Sequence, residues 1–406
     1  MRLAVLALAG SVPIVVVFVL LVGFRWSAVR AMAVGWAIAS ALGLFLWQMD
    51  TVWWAASALY GALQAIEIII IVFGAILLMN HLEGSGAVTT IRWHFTQITE
   101  DRRAQLLLIG LGFITLIEGA AGFGTPGALA APLLIGLGFP PLAAAVFGLM
   151  FNAPQPPFGA AGTPVIGGIA AVIDENVLAE GQELPAFLEA VTGWTALFTG
   201  TALVFWGLLG VFLLAFWFGN EEERSFRGAL RVTLPVAPLA VTLGILAGGT
   251  QAVVAWLFGP ELPDIAAGFV ILGAGVTLVR FGMFVPDETW TFPDRQTWSL
   301  QWFGGEKKKE EVEDVVQEST RTMPVIMAWT PYILVALILV VTRWPGLGIV
   351  GWLQQQSLDI PRILGEELSF SLRYLYLPGV VPFIPVALLT ALIHRMRPAT
   401  VAAAWR

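Results

Sequence analysis

The chain contains no cysteine, little charge and few histidines, and each shortage excludes a class of function. Without Cys among its 406 residues, disulfides, thiolate-bound metals and thiol catalysis are excluded. Charged residues make up 12% of the chain, about half the share found in soluble domains. The three histidines, His81, His94 and His394, stand beside charged or loop residues and form no metal-binding pattern. No HExxH or GxSxG motif occurs either. We therefore expect no enzymatic activity, no metal, no cofactor and no nucleic-acid partner.

What the chain has in abundance is apolar sequence. Hydrophobic residues account for 58%, and runs of about 18 or more apolar residues recur along the whole length. The 17 tryptophans fit the aromatic belts at membrane interfaces. These features predict an all-α polytopic membrane protein with about ten to twelve membrane segments. The continuous spans are predicted at Leu3–Phe24, Trp26–Trp47, Trp54–Leu82, Val191–Phe218, Leu234–Leu257, Ile265–Phe281, Pro324–Val341 and Pro378–Ile393. We expect a single transmembrane domain over residues 1–406.

The region from Ala104 to Ile173 contains a short phrase that occurs twice. Gly-Ala-Ala-Gly-Phe-Gly-Thr-Pro spans Gly119–Pro126, and Gly-Ala-Ala-Gly-Thr-Pro spans Gly159–Pro164. Thr is a good N-cap and Pro is favoured at the first helical position, so each phrase predicts unwound backbone followed by a new helix. Broken helices at membrane depth line cavities or are buried in protein, and in transporters their free amides meet anionic substrate groups. The sequence thus predicts two broken or re-entrant helices, close together in space.

These phrases and their surroundings supply the candidate substrate-binding residues. They are Gly119, Ala120, Gly122, Gly124, Thr125, Asn152, Gly159, Gly162 and Thr163. We expect Thr125 and Thr163 to act as helix caps, with the amides that follow them as the better substrate ligands. The Asn152 amide has two open interpretations. It either holds a substrate hydroxyl or satisfies backbone groups freed by Pro154.

Two acidic residues within apolar segments are candidates for proton coupling. Glu118 stands at the end of the first broken helix, and Glu67 lies in the middle of the third predicted span. Intramembrane carboxyls are expensive to bury and are functional by default. The structural alternatives are that Glu118 hydrogen-bonds free amides near Gly119–Gly124 and that Glu67 makes a hydrogen bond between packed helices.

Basic residues predict the orientation of the bundle. Arg and Lys cluster in the turn after the first span, in the predicted polar loop Glu83–Arg103, in the turn 220–231, in the long loop 285–322 and in the tail. By the positive-inside rule these segments are cytoplasmic. The loops near Asp50, Asp174–Glu189 and Glu261–Asp264 lack Lys and Arg and are predicted to face outwards. We expect an N-terminus outside the cell membrane, a C-terminus inside, and a solvated helix within Lys307–Asp314 of the cytoplasmic loop.

Several phrases together resemble the L-lactate permease family. They are Ile117–Pro126 followed by Leu134–Phe139, Asn152-Ala-Pro with Phe158-Gly-Ala and Gly162-Thr-Pro, Gly259–Ile265, Ala328-Trp-Thr-Pro331 and His394–Pro398. They occur in the same order and cover nearly the whole chain. The resemblance implies a proton-coupled secondary transporter of L-lactate and related 2-hydroxy monocarboxylates such as glycolate.

One departure from that family affects the expected architecture. Family members continue with a second set of spans carrying a Gly-Ser-Asp-Thr-Ser-Ser-like break and a Ser-Pro-Gln-Ser-like break, and neither phrase occurs in this sequence. Carriers of this kind usually pair two repeats around the site. The chain is therefore expected to be the first repeat of an inverted-repeat transporter, with a second half supplied by another chain. The alternative is a truncated, non-transporting relic or an accessory membrane subunit.

Overall fold

The computed structural model describes residues 2–122, 125–170, 173, 178, 182–304, 322–343, 347–377 and 379–405. Within this part of the chain, eight helices are long and apolar enough to cross a membrane. Two shorter apolar helices, Pro141–Asn152 and Val380–Ile393, add to them. The predicted all-α polytopic membrane architecture is therefore confirmed. The chain divides into two compact units, Met1–Glu67 with Ser357–Arg373, and Ile68–Gln356 with Tyr374–Arg406.

The first unit consists of helices with a short antiparallel hairpin. Its elements are α1 (Arg2–Phe18), α2 (Ala28–Ala41), the first half of α3 (Thr51–Gly84), and strands β1 (Leu358–Ile360) and β2 (Phe370–Leu372). The helices α1 and α2 each end in a π-helical turn, at Val19–Gly23 and Leu42–Leu46. Phe370 of β2 packs edge-on against Tyr60, and both adjoin a small core that contains Ala56 and Ile363. Many apolar side chains on α1 and α2 are exposed, as expected of helix faces that meet lipid.

The second unit contains the remaining elements and the main hydrophobic core. In chain order the helices are the second half of α3, α4 (Ala87–Thr96), α5 (Arg102–Leu107), α6 (Ile114–Ala121), α7 (Thr125–Gly136), α8 (Pro141–Asn152), α9 (Gly159–Thr163), α10 (Leu184–Phe218), α11 (Phe226–Thr233), α12 (Ala237–Phe258), α13 (Pro263–Arg280), α14 (Leu300–Phe303), α15 (Val325–Arg343), α16 (Ile349–Gln355), α17 (Ile384–Ile393) and α18 (Pro398–Ala404). A π-helical segment, Leu108–Phe113, joins α5 to α6 without a break.

The continuous segment from α5 to α6 is the centre of the second unit. The apolar part of this segment, between Arg102 and Ala120, is completely buried. The segment contacts α7, α8, α10, α12 and α13. Glycines allow the helices around this segment to pack closely. A Cβ at Gly268 of α13 would lie 2.6 Å from Leu116 Cα, and one at Gly200 of α10 would lie 2.6 Å from Gly248 Cα of α12. Close backbone approach at small residues is the usual packing mode of membrane helices. The segment therefore carries Glu118 into the interior of the unit.

Two predicted polar loops have more structure than the sequence indicated. The stretch Glu83–Arg103 contains the helix α4, which packs against α15. In the long loop 285–322, Trp290 and Trp302 are buried. The predicted solvated helix at Lys307–Asp314 lies outside the described residues. The structure differs from the prediction because these charged loops also contain apolar side chains, which are buried against the end of the helix bundle.

A buried ion pair attaches the described part of that loop to the start of α5. Asp101 caps α5 by accepting from the amides of Arg103 and Ala104. Its carboxylate also pairs with the Arg103 guanidinium at 2.6 Å and accepts from the Trp290 amide at 3.1 Å. Arg103 donates further to the carbonyls of Val232 and Glu288. Each charge is therefore paired and hydrogen-bonded, as buried ions require.

Candidate functional site

The first Gly-Ala-Ala-Gly phrase ends a helix. Its Gly119, Ala120 and Ala121 still belong to α6, and the helix ends where the Gly122 amide donates to the Glu118 carbonyl at 2.8 Å. Gly122 has φ 58°, in the region that favours glycine. The unwinding thus begins at Gly122, later in the phrase than the sequence indicated. A new helix, α7, begins at Thr125, as predicted from the Thr-Pro pair.

The second phrase is unwound throughout its centre. Ala160, Ala161 and Gly162 have φ values of 45°, 52° and 74°, which are left-handed. Left-handed backbone costs an L-residue about 1–2 kcal/mol, so the two alanines are held in place by their surroundings. A π-helical turn, Pro164–Ile169, then follows Thr163. The predicted break with a new helix after Thr-Pro is therefore present here too.

The two breaks lie against each other. A Cβ at Gly122 would lie 2.8 Å from the Ala160 amide nitrogen, so the unwound backbones touch. A Cβ at Gly162 would lie 2.5 Å from the Pro260 carbonyl oxygen, which places the second break against the turn before α13. The proximity predicted from the repeated phrase is present. Small residues are required at both points because backbone occupies the space of a side chain.

Glu118 lies beside this junction. Its side chain is 3% exposed, and the α-carbon of Gly159 packs directly on its carboxyl oxygen Oε1. The Asn152 side chain, at the end of α8, lies beside the Glu118 carboxyl and interacts with it. The second carboxyl oxygen, Oε2, is buried without a partner, and so is the Asn152 oxygen Oδ1. The structure thus brings Glu118, Asn152 and both breaks into one cluster.

A chain of buried polar side chains continues from the cluster, and sequence reasoning did not find it. The Gln155 amide donates to the Thr115 hydroxyl at 2.8 Å. The Gln251 amide nitrogen donates to Gln155 Oε1 at 3.1 Å and to Asp264 Oδ1 at 2.7 Å. All four side chains are fully buried, and Asp264 Oδ2 has no partner. The sequence did contain an indication of this chain, namely isolated amide side chains inside apolar spans. A buried amide needs a hydrogen-bond partner just as a buried acid does.

Asp264 corrects one sequence-based expectation directly. The stretch Glu261–Asp264 was predicted as an outward loop, but Pro263 is the first residue of α13 and Asp264 is buried in its first turn. Glu261 is also buried, and its Oε1 accepts from the Tyr376 hydroxyl at 2.9 Å. A Pro-Asp pair at a helix start is favourable for two reasons, the preset φ of proline and the attraction of an acid to the helix N-terminus.

The remaining sequence-predicted residues belong to the other compact unit, are not fully described, or make contacts other than those predicted. Glu67 belongs to the first compact unit, whereas the cluster belongs to the second. Gly124 and the side chain of Thr125 lie outside the described residues. Thr163 is buried, but it makes no side-chain cap to the following helix. Its hydroxyl instead donates to the Ala160 carbonyl at 2.6 Å, because the left-handed turn brings that carbonyl within reach.

The site combines hydrogen-bond acceptors with the first turns of two helical segments. Among the described residues, no group of three or more His, Asp or Glu side chains is placed to hold a metal ion. Two helices begin at the junction, after Gly122 and after Gly162, and their first amides lack intrahelical acceptors. Such amides attract anions. The cluster can therefore combine an anion at the helix starts with a proton on the carboxyls.

Comparison with known proteins agrees with this membrane architecture. The family model described as L-lactate permease matches residues 6–406. The chain is 30% identical to the glycolate permease GlcA of Escherichia coli over 347 residues, 83% of this chain. It is 31% identical to an L-lactate permease of Escherichia coli over 274 residues, 66% of this chain. With the L-lactate permease of Bacillus subtilis it shares 28% identity over 397 residues, 93% of this chain. No solved structure matches.

The matches cover only part of each relative. They include 55% of the glycolate permease, 44% of the Escherichia coli L-lactate permease and 61% of the Bacillus subtilis protein. The chain therefore spans about half the length of the curated relatives that it matches.

Proposed function

Because the chain belongs to the L-lactate permease family, we propose that it carries L-lactate and related 2-hydroxy monocarboxylates, such as glycolate, by proton symport. The relatives' names supply the substrate class, and the matched part of the chain contains both broken helices and Glu118. We also propose a cell-membrane location, with the N-terminus outside and the C-terminus in the cytoplasm. Companion spans on a second polypeptide belong to the same proposal, by analogy with carriers that pair two repeats.

One observation carries the proposal: a buried, incompletely hydrogen-bonded carboxyl lies at the junction of two broken membrane helices. Glu118 is 3% exposed, and its oxygen Oε2 has no partner. A carboxylate in that state lacks solvation on one side, which strongly favours the protonated acid. The helical segments that follow Gly122 and Gly162 begin with backbone amides that have no intrahelical acceptor, and these amides can meet a substrate carboxylate.

These two properties link the binding of substrate to the binding of a proton. An anionic substrate at the helix starts repels an ionised Glu118, since charges interact strongly where water is excluded. Protonation of Glu118 removes the repulsion, so proton and substrate favour each other's binding. Reciprocal coupling between two ligands is what symport requires. Asn152, which lies beside Glu118, can in addition meet the hydroxyl of a 2-hydroxy acid through its unpartnered oxygen.

The test is transport by the purified chain in proteoliposomes. Labelled L-lactate and glycolate are supplied with an inward pH gradient, with the chain alone and with a companion polypeptide made from the unmatched part of a relative. Glu118→Gln imitates the protonated acid. We expect the variant to exchange labelled for unlabelled substrate but to lose accumulation driven by the pH gradient.

Three results separate the hypotheses. Accumulation by Glu118→Gln equal to that of the wild type excludes Glu118 as the coupling group, and Glu67→Gln is then the next variant. Gradient-independent uptake by the wild type excludes proton symport. No uptake under any condition, with or without the companion, supports the alternative of a non-transporting subunit. Gly168→Ala is a suitable control for the effect of mutation, because the space beside Gly168 is open.

A further inference from the structure

Asp264 packs against the helix segment that carries Glu118. It is the second residue of α13 and is completely buried. A Cβ built on Gly119 would lie 2.8 Å from Asp264 Cβ, so the acid packs on the residue that directly follows Glu118. The two carboxyls are close enough to interact electrostatically. Asp264 is thus a neighbour of the proposed coupling group in space, although 146 positions separate 118 from 264 in the sequence.

The donors of the Gln251, Gln155 and Thr115 side chains are already in use. Gln251 directs its amide nitrogen to Gln155 Oε1 and to Asp264 Oδ1, and a primary amide has two hydrogens to donate. Gln155 donates to Thr115, whose hydroxyl donates to the Leu111 carbonyl. The polar side-chain atoms that remain without a partner beside the two acids are hydrogen-bond acceptors.

These acceptors are three buried oxygens without a partner. They are Glu118 Oε2, Asp264 Oδ2 and Asn152 Oδ1. Buried polar atoms are almost always hydrogen-bonded, so each exception requires an explanation. A proton bound to one of the two carboxyls would supply a donor where the neighbouring atoms are acceptors.

Among the side chains that the structure describes, no basic group forms an ion pair with either acid. On the described elements that pack around the two acids, the basic residues stand at helix ends: Arg102 and Arg103 at the start of α5, and Arg280 at the far end of α13. Arg343 ends α15, which also contacts α6. The other nearby acid, Glu261, accepts from Tyr376. The only ion pair between described residues joins Arg103 to Asp101. Two adjacent carboxyls without a counter-ion cannot both remain ionised in the interior.

We propose that Glu118, Asp264 and Asn152 form one all-oxygen cation site whose occupant is the proton, and that Asp264 is its second proton-carrying group. A proton on either carboxyl turns an acceptor into a donor and removes one of two neighbouring negative charges from the interior. Gln251 orients Asp264 and holds its Oδ1, leaving Oδ2 as the atom that gains or loses the proton. The role of this proton in transport rests on the proposed function, whereas its presence in the protein does not.

The test is infrared spectroscopy of the purified chain in lipid, which detects the carbonyl band of protonated carboxyls and needs no transport. We expect such a band in the wild type at neutral pH. Glu118→Gln and Asp264→Asn should each change its intensity and its pH dependence, and the double variant should remove this contribution. Glu261→Gln is the matched control, since Glu261 is also buried, lies three positions away and has a hydroxyl partner.

Two further infrared measurements complete the test. Gln251→Leu removes the donor to Asp264 but leaves the acid in place, and we expect its carboxyl to remain protonated to higher pH than in the wild type. This arm serves if Asp264→Asn fails to fold. Replacing choline by sodium in the buffer should leave the band unchanged, whereas its loss in sodium would show a sodium site and overturn the assignment of the proton. A band that is unaltered in both Asp264→Asn and Gln251→Leu would also overturn it.

Transport assays then separate this inference from the proposed function. If the wild type carries no substrate but the infrared result holds, the proposed function fails and the proton site stands. If transport holds and Asp264→Asn keeps gradient-driven accumulation, the site does not serve coupling through Asp264.

Discussion

Gly159 packs its α-carbon directly on the carboxyl group of Glu118, so the unwound backbone of the second break lies on the acid at the end of the first. The two elements are 41 positions apart in the sequence, from 118 to 159. Gly159 has φ −63° and ψ 150°, values that any residue adopts. Its lack of a side chain therefore serves the contact with Glu118 and not the backbone conformation.

Gly159→Ala tests that contact. The added methyl group would overlap Glu118 Oε1 and displace either the carboxyl or the break. Overpacking of this kind costs about 1–3 kcal/mol. We expect a lower thermal unfolding midpoint in detergent and a change in the pH dependence of uptake. Gly168→Ala, in the same segment with open space around it, should leave both unchanged. Wild-type behaviour of Gly159→Ala would mean that the Glu118 carboxyl points elsewhere.

Gly122→Ala tests the contact between the two breaks. The backbone conformation of Gly122, φ 58° and ψ −156°, alone costs an alanine about 1–3 kcal/mol. At Gly122 the methyl group would also press on the Ala160 backbone. Gly282→Ala is the control, because Gly282 has φ +66° but no atom within 4 Å of the added Cβ. The fall in the unfolding midpoint should be larger for Gly122→Ala. Equal falls would indicate that the breaks do not touch.

The orientation of the bundle can be measured on α10. This 35-residue helix runs from Leu184 to Phe218, and its exposed flanking residues are Glu183 and Asn220. The distribution of Lys and Arg predicts that Glu183 is outside and Asn220 inside. Because the chain has no cysteine, single Glu183→Cys and Asn220→Cys variants can be labelled without background. A membrane-impermeant maleimide should label the first in intact cells and the second only after permeabilisation. The reverse pattern would invert the proposed topology.

His394 should make stability fall in mild acid. Its Nδ1 lies 2.8 Å from the Ser85 hydroxyl oxygen and its Nε2 lies 2.9 Å from the Met327 carbonyl, partners that suit the neutral ring. Burial lowers the pKa of His394 below its ordinary value of 6.5, against a smaller opposing effect of the Met327 hydrogen bond. The unfolded chain therefore binds this proton more tightly than the folded chain. The contribution of His394 to stability is complete above about pH 6.5 and is lost as the pH falls below that value.

The measurement compares unfolding midpoints at pH 8 and pH 5 for the wild type and His394→Gln. A glutamine can donate to Met327 and accept from Ser85 but does not titrate. We expect a smaller pH dependence in the variant. The pKa of His94 is also lowered by burial and by Arg280, but His94 is present in both proteins and cancels in the comparison. An identical pH dependence would contradict the assignment to His394.

The sequence was sufficient to predict the membrane helices and the positions of both breaks. Hydrophobic run length determines the former, and the Thr-Pro pair after a glycine-rich phrase indicates the latter. The left-handed conformation of Ala160 and Ala161 could not be predicted, since alanine disfavours that region and tertiary contacts impose it. The hydrogen bond from Gln251 to Gln155 joins residues 96 positions apart. Helix packing alone determines such a pair, so no local pattern indicates it.

The complete burial of the segment from Arg103 to Ala120 has a consequence for biosynthesis. Helices α12 and α13, which cover this segment, are encoded more than a hundred residues after its first residue and leave the ribosome later. Until they arrive, Glu118 lacks Asp264 as a neighbour, and the second break lacks the Pro260 turn. The apolar segment must therefore enter the bilayer or wait in the insertion machinery with its acid unpartnered, and the final enclosure of Glu118 is a late event in assembly.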